Sequence, residues 1–208
     1  MEPYRRAFFL RQFDSLCAML YRYRIDPELY EARKSVLSFV IGLRFSALLI
    51  YTIRRLLGNT EFTANWGVII DESGEKRCSP ECDIIIHKDG SEDAWNGGDN
   101  FGDPVMGFHF VDRKNVKLVV SCKAFSVTQI SQSMKDDVVN LADHVDNVWL
   151  FAECCQYGRV AKVRRDARNA GYKGFSYLYR LKKSGDPGKY DEIGWCKFAK
   201  ALRKLAAE

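Results

Sequence analysis

An α/β fold, with a mixed central β-sheet flanked by helices, is what this 208-residue sequence predicts. Three observations carry the expectation. Short runs rich in β-branched and aromatic residues recur between turn residues, at 66–70, 83–87, 116–123, 147–153 and 175–181. Stretches with a 3.6-residue apolar period separate the later runs, the pattern of strands joined through helices. The composition, 47% hydrophobic and 28% charged, is that of a globular chain with enough apolar content for a sizeable core.

The elements follow in order. Residues 4–23 read as a short helix rich in aromatic residues and Arg. Asp26-Pro27 opens the next helix, with Asp as N-cap and Pro at the first helical position. Gly58-Asn59 stops it. Within it, the apolar stretch 36–53 carries Arg44 at its middle, where a charge costs about 2.5–3.5 kcal/mol in a bilayer. That stretch reads as a buried core helix, and no membrane partner is expected. Two strands at 66–70 and 83–87 flank a turn, and residues 88–109 read as a long Gly/Asp-rich loop, of the kind that is functional or mobile. A third strand at 116–123 leads to a helix at 128–143, a strand at 147–153, a helix at 160–170 ended by Gly171, a strand at 175–181 and an amphipathic helix at 192–207. The sum is one domain over 1–208: a helical extension (1–25), a core (26–181) and a basic C-terminal segment (182–208).

Charge is unevenly placed. The net value is only +5, but residues 159–208 hold fourteen Lys/Arg against five Asp/Glu. A basic C-terminal third suits a polyanion partner, and an ordinary solvated surface has the same composition. The seven cysteines show no zinc-ligand spacing; Cys78 and Cys82 lack a matching second pair. An odd count without a secretory signal points to reduced thiols and a cytoplasmic location.

Polar residues sit where buried strands should not want them. Asp83 shares a strand face with Ile85 and His87, and Ser121 shares one with Lys123, because side chains alternate along a strand. The following helix places Ile130, Met134 and Leu141 on one stripe with Asp137 at its centre, while Asp136 points toward solvent. An acid inside a core-facing stripe is expensive unless it is paired or metal-bound. A carboxylate able to hold a divalent cation, beside a Lys able to orient water, is equipment for metal-assisted hydrolysis. A structural Asp–Lys ion pair at a sheet end is the other reading.

Order, spacing and residue types resemble the PD-(D/E)XK nuclease superfamily, the restriction-endonuclease-like fold with an αβββαβ core. Its first acid lies on the second strand and its (D/E)xK on the third. Asp83, within Ser79-Pro80-Glu81-Cys82-Asp83, matches the first. Ser121-Cys122-Lys123 stands in place of the second, with Ser where the family usually has Glu or Asp. Some type II restriction enzymes are similar, carrying SxK and supplying the carboxylate from the next helix, fourteen residues after the Lys. Asp137 has that spacing.

The resemblance implies a Mg²⁺-dependent endonuclease acting on DNA, without excluding RNA, in restriction or anti-phage defence. Mn²⁺ would substitute for Mg²⁺. Asp83, Asp137 and the Cys122 backbone carbonyl would hold the metal, with Glu31 of the N-terminal helix as a further acid. Lys123 would orient water or offset transition-state charge, and Ser121 would hydrogen-bond a metal-bound water. Arg159, Lys162, Arg165, Lys173, Lys182 and Lys183 are the candidate phosphate binders, and His87 is a possible phosphate contact or a satisfied core histidine. The acidic 88–109 segment, repelled by DNA, is expected at a protein interface or as a gate. A homodimer is implied, since two sites cut two strands, and a larger defence-system partner is compatible with it. Because Ser121 replaces an acid, a catalytically inactive fold that only binds nucleic acid or a protein is the alternative.

Overall fold

The computed structural model describes residues 42, 45–58, 60–71, 78–90, 92–95, 108–181, 187–190 and 192–205. Apart from Gly42, these belong to one compact unit, Arg44–Glu208. The helix read at 4–23 and the residues Glu31, Lys182 and Lys183 lie outside the described residues.

Helix α1 covers residues 45–57. It buries Phe45, Leu49, Ile50, Ile53 and Leu57, one apolar face at helical spacing. Among the described residues no helix is long and apolar enough to cross a membrane. Among the described residues, eight strands form one sheet: β1 (Phe62–Ile70), β2 (Cys82–Lys88), β3 (Glu92–Trp95), β4 (Phe108–Asp112), β5 (Val116–Val127), β6 (Val148–Gln156), β7 (Gly174–Leu181) and β8 (Pro187–Tyr190). Their order across the sheet is β3-β4-β1-β2-β5-β6-β7-β8. Helix α2 (Gln132–Ala142) joins β5 to β6, α3 (Val160–Asn169) joins β6 to β7, and α4 (Glu192–Leu205) follows β8.

Pairing is mixed. β1–β2 and β2–β5 are antiparallel, whereas β5–β6 and β6–β7 are parallel and joined by the helical crossovers that parallel neighbours need. Strand β6 separates the two helical layers. Phe151 meets Phe45 of α1 at 6.2 Å and Phe198 of α4 at 4.9 Å between ring centroids. Its neighbours Leu150 and Ala152, on the opposite face by alternation, join the core cluster with Met134, Val138 and Leu141 of α2 and Val163 and Ala167 of α3.

The structure corrects several boundaries. The 88–109 segment is not one loop: it contains β3, and β4 begins before it ends, so this part of the chain adds strands beside β1. Strand β8 is a further addition at the opposite edge. Strand β5 runs on to Val127, which moves the start of the helix from 128 to Gln132, with the Ser131 hydroxyl accepting the Met134 N–H as N-cap. Pairing partners that local pattern cannot reveal supply each of these extensions.

Candidate active site

Asp83 stands where two strands part. The β2–β5 ladder runs through Ile84↔Val120. One residue further along β2, the Asp83 carboxylate takes over from the backbone: Oδ2 accepts the Cys122 N–H at 2.7 Å. An extended residue points its N–H and C=O to the same strand edge, so the Cys122 carbonyl faces the gap that Asp83 occupies. Asp83 is half-buried. Desolvation raises its pKa above the ordinary carboxylate value, a rise opposed by the Cys122 N–H and Lys123 and reinforced by the nearby charges of Asp137 and Glu81. The turn into β2 is fixed by Ser79, whose hydroxyl accepts the Ile69 N–H at 2.9 Å and donates to the Pro80 carbonyl at 2.7 Å.

Lys123 and Asp137 meet directly. The Lys123 Nζ lies 2.9 Å from Asp137 Oδ2, with the two side chains 20% and 38% exposed. The acid does not sit at the centre of the apolar stripe as its spacing suggested. Met134, Val138 and Leu141 form the buried face of α2, Ile130 precedes the helix, and Asp137 borders that face toward β5. Asp136 is exposed and accepts a hydrogen bond from Gln132 Nε2 at 2.9 Å. Two strands and one helix thus bring Lys123 and Asp137 close enough to Asp83 for their charges to act on its carboxyl group.

No protein-family model and no curated protein matches the sequence. Solved structures do. The cAAA-bound form of E. coli MS115-1 NucC is similar over 96% of this chain and 90% of that one, with a TM-score of 0.53 at 9% identity. The fold of that neighbour is PD-(D/E)XK-like. The fold of this chain is restriction-endonuclease-like. Two further NucC structures also match. The apo form from E. coli MS115-1 has a TM-score of 0.49 at 11% identity, over 81% of this chain and 89% of that one. The cAAA-bound form from P. aeruginosa ATCC27853 has 0.48 at 9%, over 77% and 78%.

The resemblance read from the sequence expects an acid at position 121, on β5 beside β2. Here Ser121 is only 5% exposed. Near it lies Tyr172, a residue the sequence reading did not single out. Tyr172 is itself 2% exposed and donates to the Met134 carbonyl at 2.8 Å. A Tyr directly after the helix-stopping Gly171 was the available signal, because a buried phenol needs a polar partner. Ser121→Asp would put a third carboxylate beside Asp83 and Asp137 with one ammonium among them. It is expected to lower the stability of the metal-free protein by about 3 kcal/mol, whereas Ser121→Ala, which introduces no charge, costs about 1 kcal/mol or less. Urea denaturation checks both, and an Asp variant as stable as the wild type contradicts this packing.

The remaining candidates separate into placed and unplaced. The Cys122 thiol points away from the site, donates to the Val120 carbonyl at 3.9 Å, and is pushed well above the ordinary thiol pKa by burial. Arg159, Lys162, Arg165 and Lys173 are all exposed. Lys162 pairs with Asp166 at 2.8 Å, and Arg165 lies 3.8 Å from the same carboxylate. Among the described residues, no hydrogen bond or ion pair ties these four to Asp83 or Asp137. His87 is a satisfied core histidine. Arg54 donates to Asn65 Oδ1, which turns the Asn65 amide N–H toward His87 Nε2 at 2.9 Å, while Nδ1 donates to the Lys88 carbonyl at 2.9 Å.

The donor set can be judged against a metal. Among the described residues no three His, Cys, Asp or Glu side chains gather in a metal-holding group. What the site offers is two carboxylates and a backbone carbonyl, all oxygen, with one ammonium against two acids in a half-buried place. A hard divalent cation that keeps several of its waters fits such a set.

Proposed function

We propose that this protein is a Mg²⁺-dependent endonuclease that hydrolyses phosphodiester bonds in DNA, acting in defence against phage. The observation that supports it most is the meeting of Lys123 with Asp137 beside the desolvated Asp83, at the strand gap faced by the Cys122 carbonyl. Asp83, Asp137 and that carbonyl hold the metal in this reading. Bound there, Mg²⁺ would polarise the scissile phosphate and acidify a bound water.

The chain's own residues do the rest. The Lys123 ammonium, kept in place by Asp137, orients the attacking water and offsets charge growing on the phosphate. Arg159, Lys162, Arg165 and Lys173 hold the phosphate backbone, so binding weakens as salt rises. A homodimer brings the two sites needed to cut both strands. The NucC structures include cAAA-bound forms, and a small signalling molecule of that kind is the activating partner proposed here.

Purified protein incubated with plasmid and Mg²⁺, with and without cAAA, against EDTA and Lys123→Ala controls, tests the proposal. Nicking or linearisation is expected only with metal, and the Ala variant should be slower by roughly 10²–10³-fold. Cutting that survives either control removes the metal-nuclease reading. Salt-dependent binding without cutting, with or without cAAA, favours the inactive-fold alternative instead.

A further inference from the structure

We propose that Trp66 is a positioning residue of this site: its indole N–H holds Glu81 beside a β-bulge in β2, and so fixes where Asp83 reaches β5. The inference rests on the nuclease reading above for what Asp83 does, but not for where Asp83 sits.

The bulge is visible in the strand register. β1 and β2 pair regularly from Phe62↔Lys88 to Asn65↔Ile85, and the next pair is Gly67↔Cys82. One residue of β1, Trp66, therefore stands opposite two of β2, Asp83 and Ile84. The core agrees. Cys82 and Ile85, three apart, both pack in one cluster, whereas unbroken alternation would send them to opposite faces. An extra residue of this kind interrupts the ladder and re-aims a side chain. Asp83 shows the result: its carboxylate, rather than its backbone, meets β5, with the Cys122 N–H 2.7 Å away.

The chain entering the bulge is tied to β1 at two points. Ser79 bonds Ile69 through both its N–H and its hydroxyl, each at 2.9 Å. Nearer Asp83, the Trp66 indole N–H donates to Glu81 Oε1 at 2.7 Å. A carboxylate acceptor makes this bond stronger than one between neutral groups. Trp66 is half-buried and Glu81 exposed. The ring that faces the bulge thus reaches the residue two before Asp83 and holds it out of water. Without that bond Glu81 returns to solvent, and the extra residue is free to shift along β2 and withdraw the Asp83 carboxylate from Cys122.

Trp66→Phe, Glu81→Ala, Glu81→Gln and the Trp66→Phe/Glu81→Ala double variant test the proposal. The readouts are Mn²⁺ affinity by calorimetry, plasmid cleavage, and amide hydrogen exchange at Cys122 by NMR. Trp66→Phe and Glu81→Ala are each expected to weaken Mn²⁺ binding or slow kcat by about 10–100-fold, the usual effect of losing an outer-shell partner. Exchange at Cys122 should speed up about tenfold, the weight of one hydrogen bond, while the rest of β5 keeps its rates. Glu81→Gln retains an acceptor for the indole and should stay near wild type. The double variant should be no worse than the worse single one. Should Trp66→Phe loosen the whole sheet, Glu81→Ala, an exposed truncation, carries the test alone. Trp66→Phe or Glu81→Ala no different from Glu81→Gln, or single losses that multiply in the double variant, overturn the proposal. If the wild type neither binds Mn²⁺ nor cuts, the nuclease reading falls, and exchange at Cys122 still decides whether Trp66 positions Asp83.

Discussion

Asp83→Asn should raise the melting temperature of the metal-free protein at neutral pH while reducing cleavage by more than about 100-fold, beyond the loss expected for an outer-shell residue. Both effects have one cause. Asp83 is charged in a place that desolvates it, with only the Cys122 N–H and a shared Lys123 in compensation. Asn keeps an acceptor for that N–H and removes the charge, so the folded state gains. It also removes an anionic ligand, so metal binding suffers. Each kcal/mol of relief is worth roughly 2–4 °C for a chain of this size.

The pH dependence has a definite sign. Because the folded-state pKa of Asp83 is raised, its protonated form favours folding, and that contribution is lost as pH rises through the folded value. The stability gap between Asn variant and wild type is therefore widest at pH 7 and above. It narrows as pH falls through the raised value and closes below the ordinary value of 3.8. Thermal melts in EDTA across this range check it, and a variant less stable than wild type at pH 7 contradicts it.

Gly67→Ala should be among the most damaging substitutions for folding. A Cβ at this position would lie 1.9 Å from the His109 carbonyl oxygen and 2.7 Å from its carbon, both backbone atoms. No rotamer change relieves that. The β1–β4 pair, in which Gly67 is opposite His109, would have to separate. A loss of about 3 kcal/mol or more is expected, at the upper end for overpacking, or roughly 6–12 °C in melting temperature. The site would feel it as well, because Gly67 also pairs with Cys82, the residue before Asp83, across an irregularity in β1. Equilibrium denaturation is the measurement; a variant within about 0.5 kcal/mol of wild type, the range of neutral surface changes, would mean that the strands do not approach this closely.

What the sequence made legible depended on local signal. Asp83 and Lys123 stood out because each interrupts an apolar strand, and Asp137 because its spacing put an acid near a helix's buried face. The five runs first read as strands all occur in the sheet, since alternation and β-branched content mark them without outside help. Strands β3 and β4 did not stand out, because a Gly/Asp-rich segment shows no such alternation and is held by pairing with β1. Tyr172 was invisible for a related reason. Its partner, the Met134 carbonyl, is 38 residues away in sequence, and only the crossover through α3 brings the two together. Asp137 was placed on the correct helix but too near the centre of its stripe, because extension of β5 to Val127 shifts where the helix begins.

A crystal soaked in Mn²⁺ and measured for anomalous scattering tests the central claim most directly. The account predicts a peak in the gap between β2 and β5, bounded by the carboxylates of Asp83 and Asp137 and by the Cys122 carbonyl, with metal–oxygen distances of roughly 2.0–2.3 Å and the Lys123 ammonium alongside. A peak held elsewhere, or Asp83 and Asp137 turned away from a common ion while the protein still cuts DNA, would contradict it.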